Sequence, residues 1–157
     1  MFKSILTLAA LTFLAGTTSF ALVSNETKKL GDRLGATALT EVSFDKKQTT
    51  LSDSEKSELA KLINDAKAKG EIREVKILVW SDREYPAKNR KLTNTDITLA
   101  KNRIDQVQQY LKTQLAVTDV DSYNMAETPN AVERMLKTSD AHVKGAAEST
   151  GATPHND

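Results

Sequence analysis

Residues 77–111, ILVWSDREYPAKNRKLTNTDITLAKNRIDQVQQYL, decide how this chain folds. Val75, Ile77 and Val79 alternate with Lys76, Leu78 and Trp80, the two-residue period of a strand buried on one side and partly covered on the other. The apolar run stops at Ser81-Asp82. The polar stretch 83–95 follows as a long loop carrying Arg83, Lys88, Arg90 and Lys91 together with Glu84. Near Thr95 the period changes. Ile97, Ala100, Ile104, Val107 and Leu111 are spaced 3, 4, 3 and 4, which makes one continuous apolar stripe along a helix. At 100° per residue, Arg103 lies about 70° round from the middle of that stripe, beside the core.

The same reading extends outward. Glu41-Val42-Ser43-Phe44 reads as a short strand, and the polar run Asp45 to Thr50 leads out of it. Ser52 and Glu55 have the spacing of a capping box, in which each side chain satisfies a free amide of the other residue. Leu59, Leu62, Ile63 and Ala66 then form a stripe, and Gly70 stops the helix, predicting a helix over about 53–69. A further strand fits Val120 to Met125. Asn130 to Leu136 reads as a short helix, and Ala141-His142-Val143-Lys144 is at best a stub of strand. Residues 22–40, polar and interrupted by Gly31 and Gly35, read as a flexible lead-in, or at most a short frayed helix. Residues 145–157, rich in Gly, Ala, Ser and Thr, read as a disordered tail. One domain over 41–144 remains, with alternating strands and helices that predict an α+β fold, an α/β sandwich with its helices on one face of a sheet.

The N-terminus has Lys3, an apolar run from Ile5 to Ala15 and small residues ending at Ala21. This is the pattern of a secretory signal peptide over 1–21, cleaved after Ala21, and implies export. The run is too short to span a bilayer, so a soluble exported protein without a membrane span is expected. With no cysteine in the chain, disulfides, thiolate metal sites and a lipid anchor at the cleavage point are not expected. Without Lys3 the 22 basic residues become 21, equal to the 21 acidic ones, and no electrostatic case for nucleic acid follows. His142 and His155 lack partners at metal-ligand spacing, and no histidine accompanies a nucleophile. No enzyme, metal or cofactor is therefore expected.

The segment 77–111 resembles the peptidoglycan-binding OmpA-like domain. In that family a strand ends in a Gly-aromatic-Thr-Asp motif, and an Asn-x-x-Leu-Ser-x-x-Arg-Ala-x-x-Val-x-x-Tyr-Leu helix follows. Here Trp80-Ser81-Asp82 ends the strand, and Leu99, Arg103, Val107, Tyr110 and Leu111 fall in register on the helix. Phe44-Asp45 and Met125-Ala126-Glu127-Thr128-Pro129 also resemble the family, so the similarity covers about 41–130. It implies a β-α-β-α-β core with helices on one face of a mixed sheet. The Asn-Arg-Arg sequence that introduces the family's last strand does not occur after Pro129, so that strand is expected to be shortened or missing. Val79 stands at the family glycine, Asp96 at the asparagine and Ile104 at the alanine.

The resemblance implies a non-catalytic periplasmic domain that binds peptidoglycan through the diaminopimelate of the stem peptide. That side chain ends in an ammonium and a carboxylate on one carbon. Asp82 would accept from the ammonium and Arg103 would grip the carboxylate with its two-donor fork, with Ser81 and Asp96 beside them. Neither Asp82 nor Arg103 belongs to the apolar stripe, so folding is expected to survive removal of either. Taken singly, Asp82 also fits a strand-end turn residue, and Arg103 a boundary residue covering apolar surface with its stem. Trp80 fits core packing under the 53–69 helix better than a sugar-stacking platform. The alternative function is a degenerate OmpA-like module that has lost wall binding and contacts another envelope protein.

Overall fold

A computed structural model describes residues 23–83, 92–129, 132, 135, 136 and 138–151 of the 157-residue chain. Four helices of eight or more residues and two strands are described: α1 (Asn25–Leu34), α2 (Asp53–Lys69), β1 (Val75–Val79), α3 (Asn94–Gln114), β2 (Val120–Asn124) and α4 (Ser139–Thr150). The signal-peptide expectation for 1–21 lies outside the described residues, as does 84–91 of the long loop.

β1 and β2 pair in parallel from Val75↔Val120 to Val79↔Asn124, with α3 making the crossover. The alternation in β1 sorts its side chains onto two faces. Val75, Ile77 and Val79 enter a core with Leu59, Leu62 and Ile63 of α2 and Ala100, Ile104, Val107 and Leu111 of α3. Leu78 and Trp80 enter a second core with Leu30 of α1, Tyr123, Met125 and Val143, Ala146 and Ala147 of α4. The fold is mixed α and β, as expected. Its helices, however, cover both faces of the strand pair, not one. Among the described residues the sheet is a parallel pair, not a mixed sheet.

Three segments differ from expectation. Residues 25–34 of the expected flexible lead-in form α1. Ser24 caps its start by accepting from the Thr27 N–H at 3.2 Å, and Gly35, at φ 70°, ends it with its N–H directed at Asp32 O and Gly31 O. Thr27 and Leu30, three residues apart, are fully buried. Gly31 admits Leu39 so closely that a Cβ there would sit 2.4 Å from Leu39 Cδ2. At the other end, α4 occupies both the expected strand stub 141–144 and the first part of the expected disordered tail. Thr138 caps it by accepting from the Ala141 N–H at 3.3 Å, and Val143, Ala146 and Ala147 are buried. Small side chains that looked like a low-complexity tail instead pack in a core with Leu30 of α1 and the second face of the strand pair. Residues 41–44 form no strand, although Val42 and Phe44 are buried in the α2–α3 core. The 130–136 segment is described only at Val132, Met135 and Leu136, where Leu136 N–H donates to Val132 O at 2.9 Å.

α2 has the predicted limits, 53–69. Ser52 accepts from the Glu55 N–H at 3.2 Å, while the Glu55 carboxylate takes a backbone hydrogen bond at Ser43, tying α2 to the preceding segment. The two-way capping box occurs instead at α3, between Thr93 and Asp96. No helix of the described residues is long and apolar enough to cross a membrane.

Candidate functional site

The carboxyl end of β1, the 45–48 loop and the third turn of α3 converge. Because α3 returns antiparallel to β1, Arg103 faces the residues just past the strand's end. Its Nη2 donates to Asp82 Oδ1 at 2.6 Å, so the two residues singled out from the sequence do meet. The guanidinium makes three further bonds to main-chain carbonyls: Nε to Gln48 O at 2.8 Å, Nη1 to Trp80 O at 3.2 Å and Nη2 to Asp45 O at 3.2 Å. Its carbon also lies 5.0 Å from the centroid of the Phe44 ring, a cation–π contact.

Burial separates the two partners. The Arg103 side chain is 0% exposed, while that of Asp82 is 11% exposed. The helical-wheel angle placed Arg103 beside the core; the structure places it wholly within. Only the long guanidinium could satisfy carbonyls from two chain segments that the apolar core cannot reach, and the 45–48 loop closes over it. Loss of Arg103 should therefore destabilise the fold, contrary to the expectation from the sequence that folding survives it. A buried charge removed from such a network costs about 3–5 kcal/mol.

Asp82 is held from the opposite side. Lys47 N–H donates to Asp82 Oδ2 at 2.7 Å, and Lys47 adopts φ 61°, a left-handed conformation unusual for a residue with a side chain. Asp82, Arg103 and the loop main chain thus form a closed circuit, with the carboxylate as the part nearest solvent.

The other two candidates do local work. Ser81 is buried and its hydroxyl accepts from the Arg83 N–H at 3.2 Å, shaping the turn that aims Asp82. Asp96 Oδ2 accepts from Thr93 N–H at 3.1 Å and from Thr93 Oγ1 at 2.6 Å, while Thr93 Oγ1 accepts from Asp96 N–H at 3.3 Å. Its Oδ1 lies 3.7 Å from Arg83 Nε. Asp96 therefore starts α3, a duty an N3 acid performs through the helix's free amides.

Val79 and Ile104, which differ from the OmpA-like pattern, point into the α2–α3 core. Trp80 is core, as expected, but lies on the α1–α4 side of the sheet instead of under α2. The residues the sequence did not mark are Asp45, Lys47 and Gln48. They act through main-chain groups, which leave no side-chain signature; the positive φ of Lys47 is also invisible in its residue type.

Comparison with known proteins finds no match. No family model, no curated protein and no solved structure matches this chain. What the site can do chemically therefore rests on its geometry. It presents one carboxylate near solvent and one guanidinium behind it, paired at contact distance. No cluster of three or more potential metal ligands occurs among the described residues.

Proposed function

We propose that this chain is a non-catalytic domain of the bacterial periplasm, with OmpA-like architecture, that binds peptidoglycan through the Asp82–Arg103 pair. The observation that carries it is the 2.6 Å contact between those two residues at the carboxyl end of β1. It joins the two positions in register with the OmpA-like pattern, 21 residues apart in sequence. Ligands commonly bind outside the carboxyl ends of parallel strands.

A diaminopimelate side chain matches this pair in charge, with an ammonium for the carboxylate and a carboxylate for the guanidinium. Its ammonium can take Asp82 Oδ2 while its carboxylate takes donors of Arg103 Nη2 and Nε, so that the internal ion pair gains an oppositely charged partner on each side. The ligand group is a zwitterion, so net charge in the site stays constant and neither protein charge is left unpaired. Ser81 and Asp96 support the site from behind, one by ordering the turn and the other by fixing the start of α3.

The full burial of Arg103 favours a second reading, a module whose site is permanently closed and whose surface contacts another envelope protein. Co-sedimentation of the protein with purified sacculi separates the two. Wild type should pellet with the sacculi, and Asp82→Asn, which keeps the shape but loses the charge, should bind at least about tenfold more weakly. Wild type and Lys47→Pro, which cannot form the Lys47 N–H bond to Asp82, both left entirely in the supernatant would exclude wall binding and favour the closed module.

A further inference from the structure

The 45–48 loop satisfies both members of the pair with the same kinds of group a ligand would bring. Lys47 N–H donates to Asp82 Oδ2 at 2.7 Å, as an ammonium would. Asp45 O and Gln48 O accept from Arg103 Nη2 and Nε at 3.2 and 2.8 Å, as two carboxylate oxygens would. We propose that this loop is an internal plug, a main-chain mimic of the ligand that must lift for the Asp82–Arg103 pair to be occupied. The inference rests on the wall-binding function and specifies how that site is regulated.

Two features make the loop suited to lifting. Residues 45–48 have exposed side chains, so polar contacts hold the loop, with no apolar anchor of their own. Lys47 also pays for the closed form with a left-handed backbone, at φ 61°, which a side chain disfavours. A turn bond from Gln48 N–H to Asp45 O, at 2.9 Å, lets the four residues move as a unit. When they leave, the ligand's carboxylate replaces the departing carbonyls and its ammonium replaces the departing amide. The exchange therefore leaves no buried charge without a partner.

Substitution at Lys47 tests the plug without touching Asp82 or Arg103. Lys47→Gly relieves the backbone strain of the closed form, so binding of meso-diaminopimelate and of sacculi should weaken by about fivefold while the unfolding midpoint rises. Lys47→Pro removes the amide proton and cannot adopt the positive φ, so binding should strengthen. Amide exchange gives a readout independent of both variants: the Lys47 N–H of the wild type should be protected in the free protein and lose protection at saturating meso-diaminopimelate. Ligand binding with Lys47 protection unchanged, or equal affinity in wild type and Lys47→Gly, overturns the plug and leaves wall binding standing. Binding by Lys47→Pro with none by wild type supports a plug that is tightly closed. Absence of binding in wild type and both variants, with the Lys47 amide unchanged, overturns the plug together with wall binding.

Discussion

Arg103 concentrates more of the structure in one side chain than any other polar residue described. The side chain is fully buried, and its head lies over Phe44 and joins α3 to the 45–48 loop and to the end of β1. Arg103→Ala should therefore destabilise the fold by about 3–5 kcal/mol, because Asp82 and three carbonyls lose their donor. Urea unfolding followed by circular dichroism measures this. Arg103→Lys should recover only part of the loss, since an ammonium cannot reproduce the planar fork. Full stability in the alanine variant would mean that the network contributes nothing. Asp82→Asn should also destabilise the fold, because the fully buried guanidinium loses its counter-charge and the single amide oxygen can accept from Lys47 N–H or from Arg103 but not both. Circular dichroism of Asp82→Asn therefore accompanies its binding assay, so that lost binding is separated from lost folding. The structure brings together the two residues that the resemblance singled out, a strand-ending acid and a helix arginine, but their direct ion pair was not part of that expectation. The depth of Arg103 was not legible, because the loop that covers it comes from a segment more than fifty residues earlier.

At the scale of elements, α1 and α4 show how composition can mislead where capping does not. Ser24 before the first turn of α1 and Gly35 after its last are ordinary helix boundaries, and Thr27 and Leu30 lie at helical spacing. The polar content of 22–40 concealed a short stripe that only a partner helix makes useful. Ser24→Ala should lower stability by about 1 kcal/mol through loss of the cap. Gly31→Ala should cost about 1–3 kcal/mol, because the added Cβ would overlap Leu39, which is itself buried. Thermal melts of the two variants would check both values, and a neutral Gly31→Ala would show that Leu39 can move aside.

The β1–β2 pair also carries a pH dependence. Lys76 lies opposite Asp121, and Lys76 forms an ion pair with Glu74 at the start of the strand. Desolvation and the hydrogen bond to Glu74 hold the Asp121 carboxyl above its ordinary range, while the Lys76 ammonium holds Glu74 below its own. A raised folded-state value means that ionised Asp121 opposes folding at neutral pH, an opposition that fades as pH falls through the aspartate range. Asp121→Asn should accordingly raise the urea midpoint at pH 7, with the gain shrinking towards pH 3. A gain that stayed constant with pH would point to a cause other than ionisation.

The whole molecule has a strand pair between two helical layers, and the chain's one tryptophan lies in the second layer's core. Trp80 is 1% exposed, and its indole N–H has no hydrogen-bond partner among the described residues. The Trp80 side chain contacts the α1–α4 layer while its carbonyl accepts from Arg103. Leu30→Ala should shift Trp80 emission to longer wavelength, as water reaches the indole, and lower stability by about 2–5 kcal/mol. An unchanged spectrum would mean that α1 does not seal this core.

What the sequence determined by itself is whatever depends on local period and local capping: the limits of α2, the course of β1 and α3, and the presence of a strand at 120–124. The alternation of Val75, Ile77 and Val79 with Leu78 and Trp80 announced a strand buried on one face and partly covered on the other, while helices were expected on one face alone. Only the tertiary structure decided what covers the second face, because α1 and α4 come from opposite ends of the chain and each lacks enough apolar surface to declare itself alone. It also decided the state of the Asp82–Arg103 pair. Whether a charged side chain faces water or carbonyls depends on which distant main chain lies over it, and main-chain hydrogen bonding has no residue code.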